Sequence, residues 1–380
     1  MRCILHIGTE KTATTSIQNW LYANRTTLSE NRVALSDVAE TGNNRALCAW
    51  FQPEIDDYLL DKGVRDEAGK AVWFATFIDD FEAEIKQAAR SHDTMIISSE
   101  HFHRRMISKE SIEALRDFLY RNFSSVEIVC YFREQSEVRK SLYSTGVKGG
   151  DTRRIADFQN EDLTRSHYYN YRNMLGKWSD VFGRSAIRPR IFQRKLFRDR
   201  DIRKDFLDVC NLSRLSDSMN FDTPRENESL TRFQAFLARQ VNRAVPRYDR
   251  HGNYSWLRDR LVYVISHFRI FRLGGRIRDP RQLSLHAAFD AENRKFFRDY
   301  FGADRNLFPP PREPAGAWSR TRSLLTATLR TCLRHAAHIV PGLQPPPGAA
   351  APTRKPSVLA PSPTPERQYA TRHQTTPKTC

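Results

Sequence analysis

The chain has 380 residues, room for two average domains or one large α/β domain with additions. Hydrophobic residues make up 39% and aromatics 11%, enough to bury a core, which excludes a wholly disordered chain. The formal net charge of +17 favours an anionic partner without choosing among nucleotide, acidic glycan, nucleic acid and lipid headgroup.

Residues 3–7 form a short apolar run that stops at Gly8, and Ile17, Trp20, Leu21 and Leu28 then recur at helical spacing. This predicts strand, glycine-opened loop and helix. A helix is expected over 72–90, with Phe74, Phe77, Ile78, Phe81 and Ile85 on one stripe. Residues 94–100 read as a second buried strand, and 108–123 as a helix capped by Ser108. Residues 126–132 give a third strand, rich in β-branched and aromatic side chains. Helices are expected after Arg133, from about Tyr169, over 201–210 and 229–243, and over 292–302. A fourth strand lies within 186–197, interrupted by arginines. Strands alternating with helices predict an α/β fold of three layers, a central parallel sheet with helices on both faces.

The six cysteines are widely spaced and form no CxxC pair, which fits a reducing compartment better than a disulfide framework or a zinc site. The N-terminus lacks a signal-peptide pattern, and no apolar run reaches the roughly 18 residues of a spanning helix. The expected location is the cytoplasm, with peripheral membrane contact left open.

The chemistry concentrates at Gly8-Thr9-Glu10-Lys11-Thr12-Ala13-Thr14-Thr15-Ser16. A strand feeding a loop that opens a helix aims backbone N–H groups at one point, where the helix dipole favours an anion. Lys11 adds a mobile cation, and Thr14, Thr15 and Ser16 add hydroxyls. The spacing departs from a Walker A loop, in which the lysine follows a second glycine.

At these residues the chain resembles the sulfotransferases, whose 5′-phosphosulfate loop has the form G-x-x-K-[ST]-[GA]-T-[ST] directly after the first strand. Gly8, Lys11, Thr12, Thr14, Thr15 and Ser16 match it, and Ala13 stands where glycine is commoner. The resemblance implies a P-loop fold and 3′-phosphoadenosine 5′-phosphosulfate as sulfuryl donor, with no metal. It also implies a 3′-phosphate site made by an arginine that ends a strand and a serine eight residues on. Arg133 and Ser141 stand in that relation, although Glu134-Gln135 replaces the usual Asn-Pro. Looser likenesses at 148–150, 167–178, 194–197 and 227–230 are to bacterial members that modify carbohydrate or lipid acceptors. Nucleic acid is not among the implied partners.

Such a reaction wants a base. Glu100 and His101, with His103 third, lie where the second predicted strand ends, the edge at which sites gather in open α/β sheets. A salt-bridge cluster with Arg104 and Arg105 is the alternative. Tyr168, Tyr169, Tyr171 and Trp178 either line an acceptor cleft or pack a helix, and His6 is expected in the core. The rival functions are a P-loop kinase or NTPase and a non-catalytic anion-binding protein of the same fold. Residues 1–310 are expected to form the P-loop domain. Residues 311–340 read as a basic, leucine-rich helical segment and 341–380 as a Pro-rich disordered tail, able to meet anionic membrane or polyanion.

Overall fold

A computed structural model describes residues 1–222, 229–248 and 254–311. The expected basic helical segment from residue 312 on, the Pro-rich tail, and residues 227 and 228 of the 227–230 likeness lie outside the described residues.

Five short strands form one sheet: β1 (Arg2–His6), β2 (Val33–Leu35), β3 (Thr94–Ser98), β4 (Ser125–Phe132) and β5 (Ile187–Ile191). Their order is β2-β3-β1-β4-β5, and every pairing is parallel. Alternation along the strands feeds two cores. Cys3 and Leu5 of β1, Met95 and Ile97 of β3, and Ile128 and Cys130 of β4 face the side covered by helices Phe77–Ala88, Lys109–Asn122 and Tyr171–Phe182. Ile4, Ile96, Val129 and Tyr131 face the other, packed against helices Thr14–Ala23 and Ile202–Val209. The expected three-layer α/β architecture is therefore present. A third cluster joins helix Gln135–Lys148 to the helices Arg232–Ala244, Trp256–His267 and Gln282–Phe301.

Several expectations need correction. The sheet has a fifth strand, the three-residue β2, too short to stand out as a hydrophobic run. The 72–90 helix is two helices, Glu67–Trp73 and Phe77–Ala88, although Phe74, Phe77, Phe81 and Ile85 are all buried as the stripe requires. The helix expected from Tyr169 starts at Tyr171, where the Asn170 side chain accepts from Asn173 N–H. The arginines within β5 are those of an edge strand: Arg188 pairs with Glu127 and Arg190 with Asp205, each at 2.7 Å. Pro189 is tolerated there because an edge strand has ladder groups to spare. Ser108 caps its helix as expected, and His6 is fully buried between Tyr131 and Phe206.

β1 is central, and the chain fills one side of it with β2 and β3 before crossing to β4 and β5. The carboxyl ends of β3, β1 and β4 thus meet at a topological switch point, the usual place for a ligand crevice.

Candidate functional site

The ladder between β1 and β4 continues into the loop. Ile7 N–H donates to Val129 O, Thr9 N–H to Tyr131 O and Tyr131 N–H to Gly8 O, at 3.0, 3.0 and 2.7 Å. Gly8 has φ +101, in the region that favours glycine. A Cβ there would meet Glu100 Cα and Glu10 N at 3.2 Å each, so the loop passes tight against the end of β3. Lys11 and Ala13 follow with φ of 67 and 63, and Ala13 precedes helix Thr14–Ala23 with no side-chain cap.

Among the described residues, none accepts a hydrogen bond from the backbone N–H groups of Lys11 through Ser16. Six donors at an uncapped helix start make a seat for an anion. The side chains divide the work. Thr12 is buried and its hydroxyl donates to Thr9 O, so it shapes the loop and offers a ligand only its backbone. Lys11 Nζ reaches across to Thr145 Oγ1 at 3.1 Å, on the exposed side. Thr15 and Ser16 are partly exposed.

Arg133 ends β4. Its Nη1 donates to Lys11 O at 3.1 Å, while Nη2 meets Glu137 at 3.3 Å and the guanidinium lies over the Phe192 ring. Ser141 sits partly exposed on helix Gln135–Lys148, which also carries Thr145. The replacement of Asn-Pro by Glu134-Gln135 has a structural account. The Glu134 carboxylate caps this helix at Glu137 N–H, and Gln135 exchanges amide hydrogen bonds with Asn293.

Glu100 closes the other wall. It follows β3, and Gln18 Nε2 of the loop's helix donates to its carboxylate at 2.8 Å. His101 is mostly buried, and its Nδ1 has no hydrogen-bond partner among the described residues. Burial, then the Arg45 charge, lower its pKa below the ordinary histidine value, against the pull of Glu100 and Glu10. His103 differs. Its Nδ1 accepts from Glu10 N–H at 3.4 Å and its Nε2 donates to Tyr168 O at 3.1 Å, so both ring nitrogens are used. Burial lowers its pKa to about 4. The Glu10 carboxylate accepts from the Tyr168 hydroxyl at 2.7 Å and faces Arg104 at 3.7 Å. Burial opposes its charge, but Arg104, Lys11 and Tyr168 outweigh burial and hold its pKa down.

Glu100 and His101 open onto a cleft of about 490 Å³. Its walls are Thr15, Gln18 and Asn19 of the loop's helix, and Glu40, Thr41, Gly42, Asn43, Arg45, Asp57, Tyr58 and Asp61 from the segment between β2 and β3. Four carboxylates stand in the lining, Glu40, Asp57, Asp61 and Glu100, of which Glu40 faces Lys62 and Asp57 pairs with Arg105. Arg45 is buried and engaged with Asp56 and Gln52, beneath the Tyr58 ring. Sequence reading missed this wall, since it is built from short helices, Arg45–Phe51 and Asp57–Asp61, with no motif. The aromatics considered for a cleft serve elsewhere: Tyr169, Tyr171 and Trp178 are core residues, and Tyr168 holds Glu10. The structure thus brings the loop, Arg133, Glu100 and His101 to one edge, and turns His103 inward.

No family model matches the chain. Over 219 residues it is 29% identical to an uncharacterised protein of Archaeoglobus fulgidus, a match that takes in 56% of this chain and 55% of that protein. The matched region therefore spans about half the relative's length. Among solved structures, the chain is similar to a sulfotransferase from Alicyclobacillus acidocaldarius over 59% of this chain and 85% of that one, with a TM-score of 0.37 and 14% identity. No described helix is long and apolar enough to cross a membrane.

Proposed function

We propose that the protein is a sulfotransferase that moves a sulfuryl group from 3′-phosphoadenosine 5′-phosphosulfate to a hydroxyl or amine. The observation that carries this reading is the set of backbone N–H donors from Lys11 to Ser16 for which no described residue is an acceptor, tied to the Arg133 guanidinium through Lys11 O. One anion fits the loop, and a second, on the same nucleotide, fits Arg133 and Ser141.

The donor supplies an activated sulfuryl group. Glu100 or His101 takes the acceptor's proton as its oxygen or nitrogen attacks sulfur. A new bond to sulfur forms while the bond from sulfur to the 5′-phosphate oxygen breaks. Negative charge grows on that departing oxygen, and Lys11 with the loop N–H groups stabilises it. The cleft, with its acidic and amide side chains, suits an acceptor that donates hydrogen bonds, such as the hydroxyls of an uncharged sugar. It disfavours an anionic glycan.

Calorimetric titration with 3′,5′-adenosine bisphosphate tests the donor assignment. Binding of the bisphosphate, and weaker binding of the 5′-monophosphate, is expected. A preference for ATP with Mg²⁺ over the bisphosphate would assign the loop to a kinase or NTPase instead. Donor binding with no transfer from labelled donor to any of a broad panel of sugars, glycolipids and amines would favour a binding protein.

A further inference from the structure

Gln18 is almost fully buried on helix Thr14–Ala23, the helix that opens in the anion seat. A primary amide in such a place is costly unless its polar atoms are used. Nε2 donates to Glu100 Oε2 at 2.8 Å and to Ser98 O at 3.2 Å, and it lies 3.4 Å from Ser98 Oγ. The Ser98 carbonyl can only accept, and so can an ionised Glu100 carboxylate. A flipped amide would set its own carbonyl oxygen against both, so the chemistry of the partners fixes which way it points.

Ser98 is held by further bonds. Its N–H donates to Asn44 Oδ1 at 2.8 Å, and its hydroxyl meets His6 Nδ1 at 2.8 Å. One amide hydrogen of Gln18 is thus anchored on the end of β3, and the other is aimed at Glu100. Gly8 packs against Glu100 from the backbone side, where a Cβ would meet Glu100 Cα at 3.2 Å and Cβ at 3.3 Å. Among the described residues, Gln18 is the only hydrogen-bond partner of the Glu100 carboxylate. Oε2 is taken, and Oε1 is left for the cleft that Gln18 and Glu100 both line. The buried Nδ1 of His101, by contrast, has no partner among the described residues to orient its ring.

We infer that Gln18 is a positioning residue for the proposed transfer: it fixes the Glu100 carboxylate so that Oε1 takes the acceptor's proton. The inference rests on the proposed function and on Glu100 as its base. Gln18 donates to Oε2, so the proton that leaves the acceptor's oxygen or nitrogen goes to Oε1, and the bond from Gln18 survives the transfer. The same helix carries the amide that holds the base and, in its first turn, N–H groups of the anion seat. Base and departing oxygen therefore keep a fixed relation, as an attack in line with the leaving group requires. A carboxylate without this bond rotates about its own torsions and leaves the productive geometry.

Gln18→Met, which keeps the length of the side chain and loses the donor, tests this. Q18M should lower kcat by about tenfold or more, as for a hydrogen bond to a charged group. Bisphosphate affinity and acceptor KM should stay within about threefold of wild type. In a Glu100→Gln background the same substitution should change kcat by less than about twofold, because the group it positions is gone. A merely structural residue costs the same in both backgrounds. Gln18→Asn, one methylene short of Glu100, carries the same expectations and serves if Q18M misfolds. Wild-type kcat in the variant, or equal losses in the two backgrounds, overturns the inference. Wild-type kcat in E100Q removes the base itself and the inference with it, while bisphosphate titration of the same proteins reports on the donor site separately. Crystal structures give a readout that needs no turnover: in Q18M the Glu100 carboxylate should leave the place it holds in wild type. A carboxylate that stays there overturns the inference even if no acceptor is found.

Discussion

Arg133 donates to the main-chain oxygen of Lys11 across 3.1 Å, so the end of β4 holds the loop that follows β1. The proposed 3′-phosphate site and the loop are mechanically one unit, and substitutions at the two residues should differ in kind.

Lys11→Ala should abolish transfer with the fold intact, because the hydrogen bond that Nζ makes, to Thr145, lies on the exposed side. Loss of a cation at the departing oxygen is worth roughly 3–4 kcal/mol, or about a hundredfold to a thousandfold in rate. Single-turnover assays alongside thermal melts check this. Near-normal turnover would show that the loop does not serve the reaction.

Arg133→Ala should act on affinity, raising the dissociation constant for adenosine bisphosphate by about tenfold to a hundredfold, as expected for a charged hydrogen bond. Ser141→Ala should cost less. Calorimetry against the analogue lacking the 3′-phosphate reads this directly. If wild type binds both compounds equally, the 3′-phosphate site is misassigned.

Glu100→Gln and His101→Ala should each leave bisphosphate affinity near wild type, and one should lower turnover by more than about a hundredfold. If His101 is the base, activity rises with pH along a limb that lies below the ordinary histidine value of 6.5, because burial and Arg45 lower its pKa. His101→Ala should erase that limb. A rate change under tenfold in both variants would move the base elsewhere.

Stability should fall in acid. Burial holds His6 and His167 neutral down to about 3 and His103 down to about 4, against 6.5 in an unfolded chain. The unfolded state binds more protons in this window, so stability is full above about pH 6.5 and declines as pH drops toward these values. Each histidine contributes on the order of 2 kcal/mol of this loss by pH 5. Denaturant titrations at pH 7.5 and pH 5 measure it, and equal stabilities would mean that these rings are reached by water.

What could be read from the sequence was local. Gly8 through Ser16 follow a strand directly, and β4 runs straight into Arg133, so neighbouring residues carry both signals. The base candidates followed from the end of β3 alone. Partnerships over long separations left no trace: Glu10 with Tyr168, Gln135 with Asn293, Arg139 with Asp279. Nor did composition reveal the cleft wall, whose helices of seven and five residues are too short to show a period. The arginines that obscured β5 are paired with Glu127 of β4 and Asp205 of helix Ile202–Val209, a tertiary fact.

The cleft wall also separates two tasks along the chain. Apart from the loop's own helix and the β3 end, every residue lining the cleft falls between Glu40 and Asp61, while the N–H donors of residues 11–16 sit on a loop held by the ladder between β1 and β4. On the proposed function, acceptor choice would be written in a segment separate from the loop proposed to hold the nucleotide. Grafting or diversifying residues 40–61 would then change the acceptor and leave the proposed donor site in place.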